Sequence, residues 1–370
     1  MMEYTELKIR LMQEGAVFTD NAKAHMCKNK FGQIVVHDYA TTGGVVVELA
    51  GQVYVNVPVK YEDTPFCIDY AQQRFVLTVD GQAVAISVNI MPAPQFALNN
   101  VLLENGTPVR DLVMTHAHRL RISPIHGCSY HCQFCTCNRQ NYLEIPCEYL
   151  DQAVQIALSD PNTSPEHILI SGGTPEADER TYQYLNEVYK YFPEKYPEYE
   201  FDVMLSPRGF HAGKDSARDY GEFLDYLHNA CNIQTLSVNL ELYHDSLRRK
   251  YIPEKWNIGI NSYREFICQA VDKFGRGKIR SSLIVGLEEM EDTLRGVEEL
   301  CSWGCIPVLS AFVPDKGTDM ASYPQPTVEF LTETVARAAE IAENYGTALG
   351  PLCRPCTHNS LTKETGSVSV

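Results

Sequence analysis

Apolar and polar residues alternate in short runs over the first hundred residues of the chain. Five of these runs have the length and period of β-strands, and turn signals such as Asp80-Gly81 separate them. The predicted strands are residues 33–37, 44–49, 53–59, 74–79 and 83–90. We therefore predict a small N-terminal domain, β-rich or α+β, over residues 1–112.

From about residue 120 the pattern changes, and strand-like apolar runs alternate with runs of helical periodicity. The predicted strands are residues 120–124, 167–171, 201–206, 235–241, 279–285 and 307–313, and the predicted helices are residues 148–159, 178–191, 216–230, 262–274, 291–303 and 327–345. This order indicates parallel βαβ units. We predict an α/β fold, a partial (β/α)6 TIM-like barrel over residues 113–346, with ligands at the C-terminal ends of its strands.

Glycine and proline end the last helical pattern and begin a tail over residues 347–370. The tail carries a C-x2-C pair, Cys353 and Cys356, which is a candidate for a second metal site. His358, Cys301 or Cys305 would have to complete its ligands. Packed thiols or a redox pair are equally compatible with the pattern. We expect this tail to fold back over the mouth of the barrel.

Composition and charge narrow the classes of partner. Hydrophobic residues make up 44% of the chain, enough for a sizeable core, and the net charge of −16 argues against nucleic acid as a partner. We expect a small-molecule or peptide substrate. The sequence has neither an apolar run of roughly 20 residues nor a secretory signal, which predicts a cytoplasmic protein and no membrane association. Thirteen cysteines in a reducing compartment favour metal ligation over disulfides.

Three cysteines directly after the first barrel strand have metal-ligand spacing. Cys128, Cys132 and Cys135 form a C-x3-C-x2-C motif. Three thiolates this close can bind three irons of a cubane cluster and leave the fourth iron open. A zinc site, with Cys137 or His131 as fourth ligand, is the alternative, as are buried free cysteines.

The motif, with Phe134 before its last cysteine, closely resembles the signature of the radical S-adenosylmethionine superfamily. Further motifs follow in the superfamily's order over residues 115–346, closest in style to the biotin and lipoyl synthase branch, without identifying a member. The resemblance implies a 4Fe–4S cluster and S-adenosylmethionine as cofactors, and an electron donor such as flavodoxin or ferredoxin. It also implies that S-adenosylmethionine is cleaved reductively to a 5′-deoxyadenosyl radical, which abstracts hydrogen from the substrate.

The resemblance also implies which residues contact S-adenosylmethionine. The Gly-Gly-Thr-Pro turn would bind the methionine amino group and the Asn-Leu-Glu segment the ribose. Arg248 or Arg249, on the segment after it, is a candidate partner of the methionine carboxylate, with a surface salt bridge as the equal alternative. The predicted contacts are Phe134, Gly172, Gly173, Thr174, Ser206, Asn239, Glu241, Arg248 and Ile284. A branched side chain at Gly173 is expected to hinder cofactor binding while leaving the cluster intact.

Other reactions remain open at this point. Sulfur insertion or cofactor maturation of the biotin and lipoyl synthase type would need an auxiliary cluster that the sequence does not clearly provide. Methyl transfer, or cleavage of another bond of S-adenosylmethionine, is a further option. A zinc-stabilised binding protein is the alternative from a different class, and its colourless solutions would distinguish it from a brown iron–sulfur protein.

Overall fold

A computed structural model describes residues 3–29, 44–214 and 216–362 of the chain. Within these residues the strands form two seven-stranded sheets and one two-stranded ribbon. The predicted strand at residues 33–37 lies outside the described residues. The domain boundaries at residues 112 and 346 stay predictions.

The N-terminal sheet has the strand order β3-β2-β7-β6-β5-β1-β4. Its strands pair antiparallel, except that β1 runs parallel to β4 and β5. Helix α1 (Tyr4–Glu14) packs on it and buries Leu7 and Leu11 among the valines of the sheet. The strands are β1 Ala16–Phe18, β2 Val45–Leu49, β3 Val53–Val57, β4 Val59–Lys60, β5 Phe66–Ala71, β6 Arg74–Val79 and β7 Gln82–Ile90.

The second sheet is the partial barrel that the alternating pattern predicts. Six strands run parallel in the order β9-β12-β13-β14-β15-β16, and β8 pairs antiparallel with β9 at one edge. A ribbon of β10 and β11 stands apart from this sheet. The strands are β8 Val113–His116, β9 Arg119–Ile122, β10 Ile125–His126, β11 Leu143–Glu144, β12 His167–Ile170, β13 Glu200–Met204, β14 Thr235–Ser237, β15 Ile279–Val285 and β16 Ile306–Ala311.

The helices between the barrel strands bury one apolar face against the sheet. In α6, for example, Asp178 caps the first turn by accepting from the Thr181 amide, and Leu185 and Val188 lie in the core. Among the described residues, no helix is long and apolar enough to cross a membrane. The helices after α1 are α2 Asp20–Ala24, α3 Gln95–Leu98, α4 Val109–Leu112, α5 Cys147–Leu158, α6 Glu179–Lys195, α7 Ala217–Asp225, α8 Asp245–Tyr251, α9 Pro253–Ile258, α10 Ile260–Phe274, α11 Met290–Ser302 and α12 Val328–Asn344.

The C-terminal tail lies at the opposite end of the barrel from the one expected. Its 3-10 turn, Pro355–Asn359, packs against β3 and against His167, the first residue of β12. The Leu361 amide donates to the carbonyl of Leu309 in β16 at 2.8 Å, and the Leu361 side chain is fully buried. The expectation that the tail covers the mouth is wrong, because the tail contacts the first residue of β12 and, through Gly350 and Leu361, the first half and the middle of β16.

Candidate active site

The cysteine motif lies in a loop at the C-terminal end of β9. The antiparallel ribbon of β10 and β11 pairs His126 with Leu143 and so closes the base of the loop. Within the loop, the Cys135 amide donates to the Cys132 carbonyl at 3.1 Å. The short spacing and this turn keep the three motif cysteines on one small segment.

The Gly-Gly-Thr-Pro turn after β12 packs directly on the cysteine loop. The Ser129 amide donates to the Thr174 carbonyl at 3.0 Å, and the Ser129 hydroxyl donates to the Pro175 carbonyl at 2.7 Å. A Cβ on Gly173 would lie 1.5 Å from the Gly127 carbonyl oxygen, so only glycine fits here. The turn and the loop therefore form one unit.

Backbone amides point at the cysteine sulfurs. The Thr174 amide lies 3.1 Å and the Tyr130 amide 3.4 Å from the Cys128 sulfur, and the Cys137 amide lies 3.5 Å from the Cys135 sulfur. Such donors stabilise thiolates and tune the potential of iron–sulfur clusters. This donor set fits an iron–sulfur cluster bound by the motif.

Burial raises the pKa of the Cys132 thiol to about 12. Its thiolate form therefore needs a cationic partner, and ligation by iron would supply one. The side chains of the neighbouring Cys137 and Cys135 share a hydrogen bond, and this hydrogen bond lowers the pKa of Cys137 to about 7. His131, the other alternative zinc ligand, is engaged by the Glu254 carboxylate at 2.8 Å.

A second segment holds the loop from the other side. The Gln133 amide donates to the carbonyl of Tyr251 at 2.9 Å, and the His131 amide donates to Glu254 at 3.0 Å. Phe134 belongs to an apolar cluster with Ile284 and Phe312. The loop is thus anchored on α8 and α9 as well as on the glycine turn.

A cavity of about 870 Å³ runs from the cysteine loop into the barrel. Eight of the nine predicted cofactor contacts and all three motif cysteines line it. They are Phe134, Gly172, Gly173, Thr174, Ser206, Asn239, Glu241 and Ile284, with Cys128, Cys132 and Cys135.

Asn239 and Glu241 lie beyond the end of β14. The predicted strand over residues 235–241 is shorter in the structure and ends at Ser237, and Glu241, with a left-handed φ of 69°, forms an isolated parallel bridge with Leu283. The Asn239 side-chain oxygen accepts from the Ser282 amide at 3.2 Å, and the Glu241 amide donates to the Ser282 carbonyl at 2.8 Å. These bonds to β15 fix both side chains in the cavity wall.

Lys255 is a site residue that sequence reasoning missed. Its ammonium group lies 2.8 Å from the Glu241 carboxylate and also donates to the Asn239 carbonyl at 2.9 Å. Burial opposes the charged form, but the Glu241 carboxylate together with the nearby Tyr263 and Cys132 raises the pKa of Lys255. No local signal in the sequence pairs Lys255 with Glu241.

Arg248 is absent from the cavity lining, contrary to its predicted contact with the methionine carboxylate. Its guanidinium is buried and donates to the carbonyls of Leu242 at 2.9 Å and Lys255 at 3.1 Å. It therefore joins the segment before α8 to α9. The alternative, Arg249, lies over the Trp256 ring at 5.2 Å.

The barrel interior below the loop is polar. Arg280 pairs with Asp202, and Arg121 lines the same cavity. Among the described residues, no hydrogen-bond partner lies within reach of the buried Nε of Arg121. The alternation of basic and apolar residues from Arg119 to Ile122 in β9 is the signal that could have placed arginine inside the barrel.

Residues 122–301 match the family model described as Radical SAM superfamily. The Bacteriochlorophyllide c C-7(1)-hydroxylase of Chlorobaculum limnaeum is 30% identical over 118 residues, which are 31% of this chain and 29% of that protein. The chain thus aligns with under a third of the hydroxylase.

Two solved structures resemble the chain at low sequence identity. The FeFe-hydrogenase maturase HydG from Carboxydothermus hydrogenoformans has a TM-score of 0.46 and 17% identity, covering 65% of this chain and 55% of its own. A radical SAM methyltransferase from Sphaerobacter thermophilus has a TM-score of 0.45 and 17% identity, covering 78% and 76%.

Proposed function

This chain is an enzyme that carries a radical SAM superfamily domain, and from that premise we propose the cofactor geometry and the kind of reaction. Cys128, Cys132 and Cys135 would bind a 4Fe–4S cluster whose open iron takes S-adenosylmethionine. When bound, these cofactors supply a 5′-deoxyadenosyl radical that abstracts hydrogen from a substrate in the barrel. The observation that carries the proposal is the hydrogen bond from the Thr174 amide to the Cys128 sulfur, because it joins the glycine turn to a cysteine of the motif.

The protein's own residues would orient S-adenosylmethionine along one wall of the cavity. The turn at Gly172 and Gly173 lines the cavity and has no side chain to keep the methionine end from its backbone. Asn239 and Glu241 suit the ribose hydroxyls, because both side chains are fixed by bonds to neighbouring segments. Ile284 offers an apolar surface to the adenine. Ser206 and Phe134 line the space between these groups.

The deeper cavity would hold the substrate and exclude water from the radical. Its lining by Arg121, with a buried and unsatisfied Nε among the described residues, supports a small molecule or peptide that carries an anionic group. An unsatisfied Nε on a half-buried arginine that lines a cavity favours a carboxylate or phosphate as ligand.

Reduction of the cluster requires an electron donor, for which we propose flavodoxin or ferredoxin. We propose a cytoplasmic location as well. The location in the cytoplasm is supported by the cysteines, because all thirteen are free thiols and the three of the motif must be reduced to bind iron. A negatively charged chain also gives no footprint for nucleic acid.

Electron paramagnetic resonance of the anaerobically reconstituted and reduced protein tests the proposal. We expect the signal of a reduced 4Fe–4S cluster, and a change of its g-values when S-adenosylmethionine is added. The Cys132→Ala variant should lose the signal, and Cys268→Ala, which changes a thiol on α10 outside the cavity, should keep it. A cluster signal that ignores S-adenosylmethionine would contradict the proposed open iron.

A further inference from the structure

The C-terminal tail creates a second group of metal-ligand side chains, far from the cysteine loop. The ligand atoms of His167, Cys353 and Cys356 all lie within 4.8 Å of one another. The Cys356 sulfur is 3.3 Å from Nε2 of His167. Cys356 is buried, and the other two side chains are half-buried.

The spacing of these atoms distinguishes between kinds of metal centre. In a tetrahedral zinc site, Zn–S bonds of about 2.3 Å and Zn–N bonds of about 2.0 Å put the ligand atoms roughly 3.5–3.8 Å apart. A cubane binds each thiolate to a different iron and needs wider separations. Among the described residues, the compact arrangement occurs at this group and not at the cysteine loop.

The ligands are held in place by the protein without an ion. His167 is fixed in β12, where it pairs with Arg119 of β9 and Glu200 of β13. The Cys356 amide donates to the Cys353 carbonyl at 3.0 Å, so the two cysteines share one tight turn. A C-x2-C turn facing a histidine is a preorganised set of soft and borderline ligands.

The chain around the turn is also tied down. The Lys8 side-chain nitrogen donates to the carbonyls of Thr357 at 2.7 Å and Thr362 at 2.5 Å. The Thr362 hydroxyl donates to the Gly350 carbonyl at 2.7 Å. The ligand turn therefore sits between the N-terminal helix and the barrel, where an ion would join them.

We propose that His167, Cys353 and Cys356 bind one zinc ion, with solvent in the fourth position, that fastens the C-terminal tail to the base of the barrel. The site is structural. His167 begins β12, whereas the Gly-Gly-Thr-Pro turn follows the end of the same strand. Four strand residues span about 13 Å, so the ion lies at the opposite end of the barrel from the cysteine loop.

Metal analysis of the full chain tests this site separately from the radical chemistry. We expect about one zinc per chain in the wild type, and less than ~0.1 in Cys356→Ala and His167→Ala, because each variant leaves only two protein ligands for the ion. Cys27→Ala, at an exposed thiol, is the matched control and should keep the zinc. Wild-type protein without zinc, or variants that keep it, would overturn the proposal.

A variant with an intact tail site tests the zinc ion even if Cys356→Ala and His167→Ala fail to fold. The triple variant Cys128→Ala, Cys132→Ala, Cys135→Ala should lose its iron and keep its zinc. Its zinc-free form should then bind Co²⁺ and develop the absorption of a tetrahedral thiolate complex. Loss of zinc together with iron, a Cys353–Cys356 disulfide in the purified protein, or iron at the tail would each refute a zinc site there.

Discussion

Gly173 is the residue at which the glycine turn and the cysteine loop touch. The Cβ of an alanine would lie 1.5 Å from the Gly127 oxygen and 2.8 Å from the Cys128 Cα, and both obstacles are backbone atoms. The loop must therefore move, so the expectation that a larger residue here spares the cluster no longer fits the structure. We predict that Gly173→Ala loses most of its iron as well as cofactor binding.

Iron content and visible absorption after reconstitution measure this effect. Gly221→Ala in α7 is the control, because the added Cβ would meet only the flexible end of the Gln269 side chain at 3.2 Å. The control should hold as much iron as the wild type. A Gly173→Ala protein with full iron content would show that the turn does not support the loop.

Lys255 and Glu241 form an ion pair inside the barrel, with 2.8 Å between the charged groups. Their side chains are 10% and 15% exposed, so removing one charge leaves the other buried and unpaired. Lys255→Met should lower the free energy of unfolding by about 3–5 kcal/mol. Adding Glu241→Gln should recover part of this loss.

Urea denaturation measures both variants. Lys273→Met breaks the more exposed pair with Asp225 and should change the free energy of unfolding by less than about 1 kcal/mol. Equal losses at Lys255 and Lys273 would contradict the role assigned to burial.

Spacing made the cysteine motif predictable, because eight consecutive residues, 128–135, cannot place their thiols far apart. The roles of Lys255 and His167 could not be predicted, because only the fold brings Lys255 to Glu241 and His167 to the tail cysteines. Arg248 was misplaced for a related reason. The sequence does not reveal that the carbonyls of Leu242 and Lys255 take up its donors.

At the scale of elements, the six βα units of the barrel were predictable because each has a long, regular pattern. Strand β1 has three residues, too few for a period to appear. In β5, Phe66–Ala71, only Phe66 and Ile68 are buried, which is too few inward positions for a clear period. Strand β14 ends at Ser237, and beyond it pairing with β15 continues only as an isolated bridge at Glu241, whose left-handed conformation the sequence does not signal.

The position of the tail was predicted wrongly because its partners are distant in sequence. Two leucines of the tail test whether it packs against the base of the barrel. Leu361 is fully buried in the barrel core, while Leu352 is 40% exposed. Leu361→Ala should lower the free energy of unfolding by about 2–5 kcal/mol. Leu352→Ala, the matched control in the same tail, should change it by about 0.5 kcal/mol or less. Similar small effects of both, in urea denaturation, would mean that the tail does not close the barrel base.

At the scale of the whole molecule, Lys8 of α1 links the N-terminal unit to the tail. Its complete burial lowers its pKa to about 7 from an ordinary value of 10.5. Between about pH 7 and pH 10.5 the unfolded chain therefore binds a proton that the folded chain lacks. The free energy of unfolding should rise with pH in this window, by up to about 1.4 kcal/mol per pH unit from this group.

Lys8→Met removes this contribution while keeping an unbranched side chain of similar length. Unfolding of both proteins, measured from pH 7 to pH 10, should give a smaller increase in the variant. The neighbouring His358 does not interfere, because burial lowers its pKa to about 4. Parallel pH profiles of the two proteins would mean that Lys8 is charged when folded.

We infer that the cysteine loop and the glycine turn form one site for reductive cleavage of S-adenosylmethionine. Quantifying 5′-deoxyadenosine after anaerobic incubation with dithionite and S-adenosylmethionine tests it most directly. We predict that the reconstituted wild type and the control Cys147→Ala form this product, and that Cys128→Ala, Cys132→Ala and Cys135→Ala form none above background. Product formation at the wild-type level in the three motif variants would contradict the account.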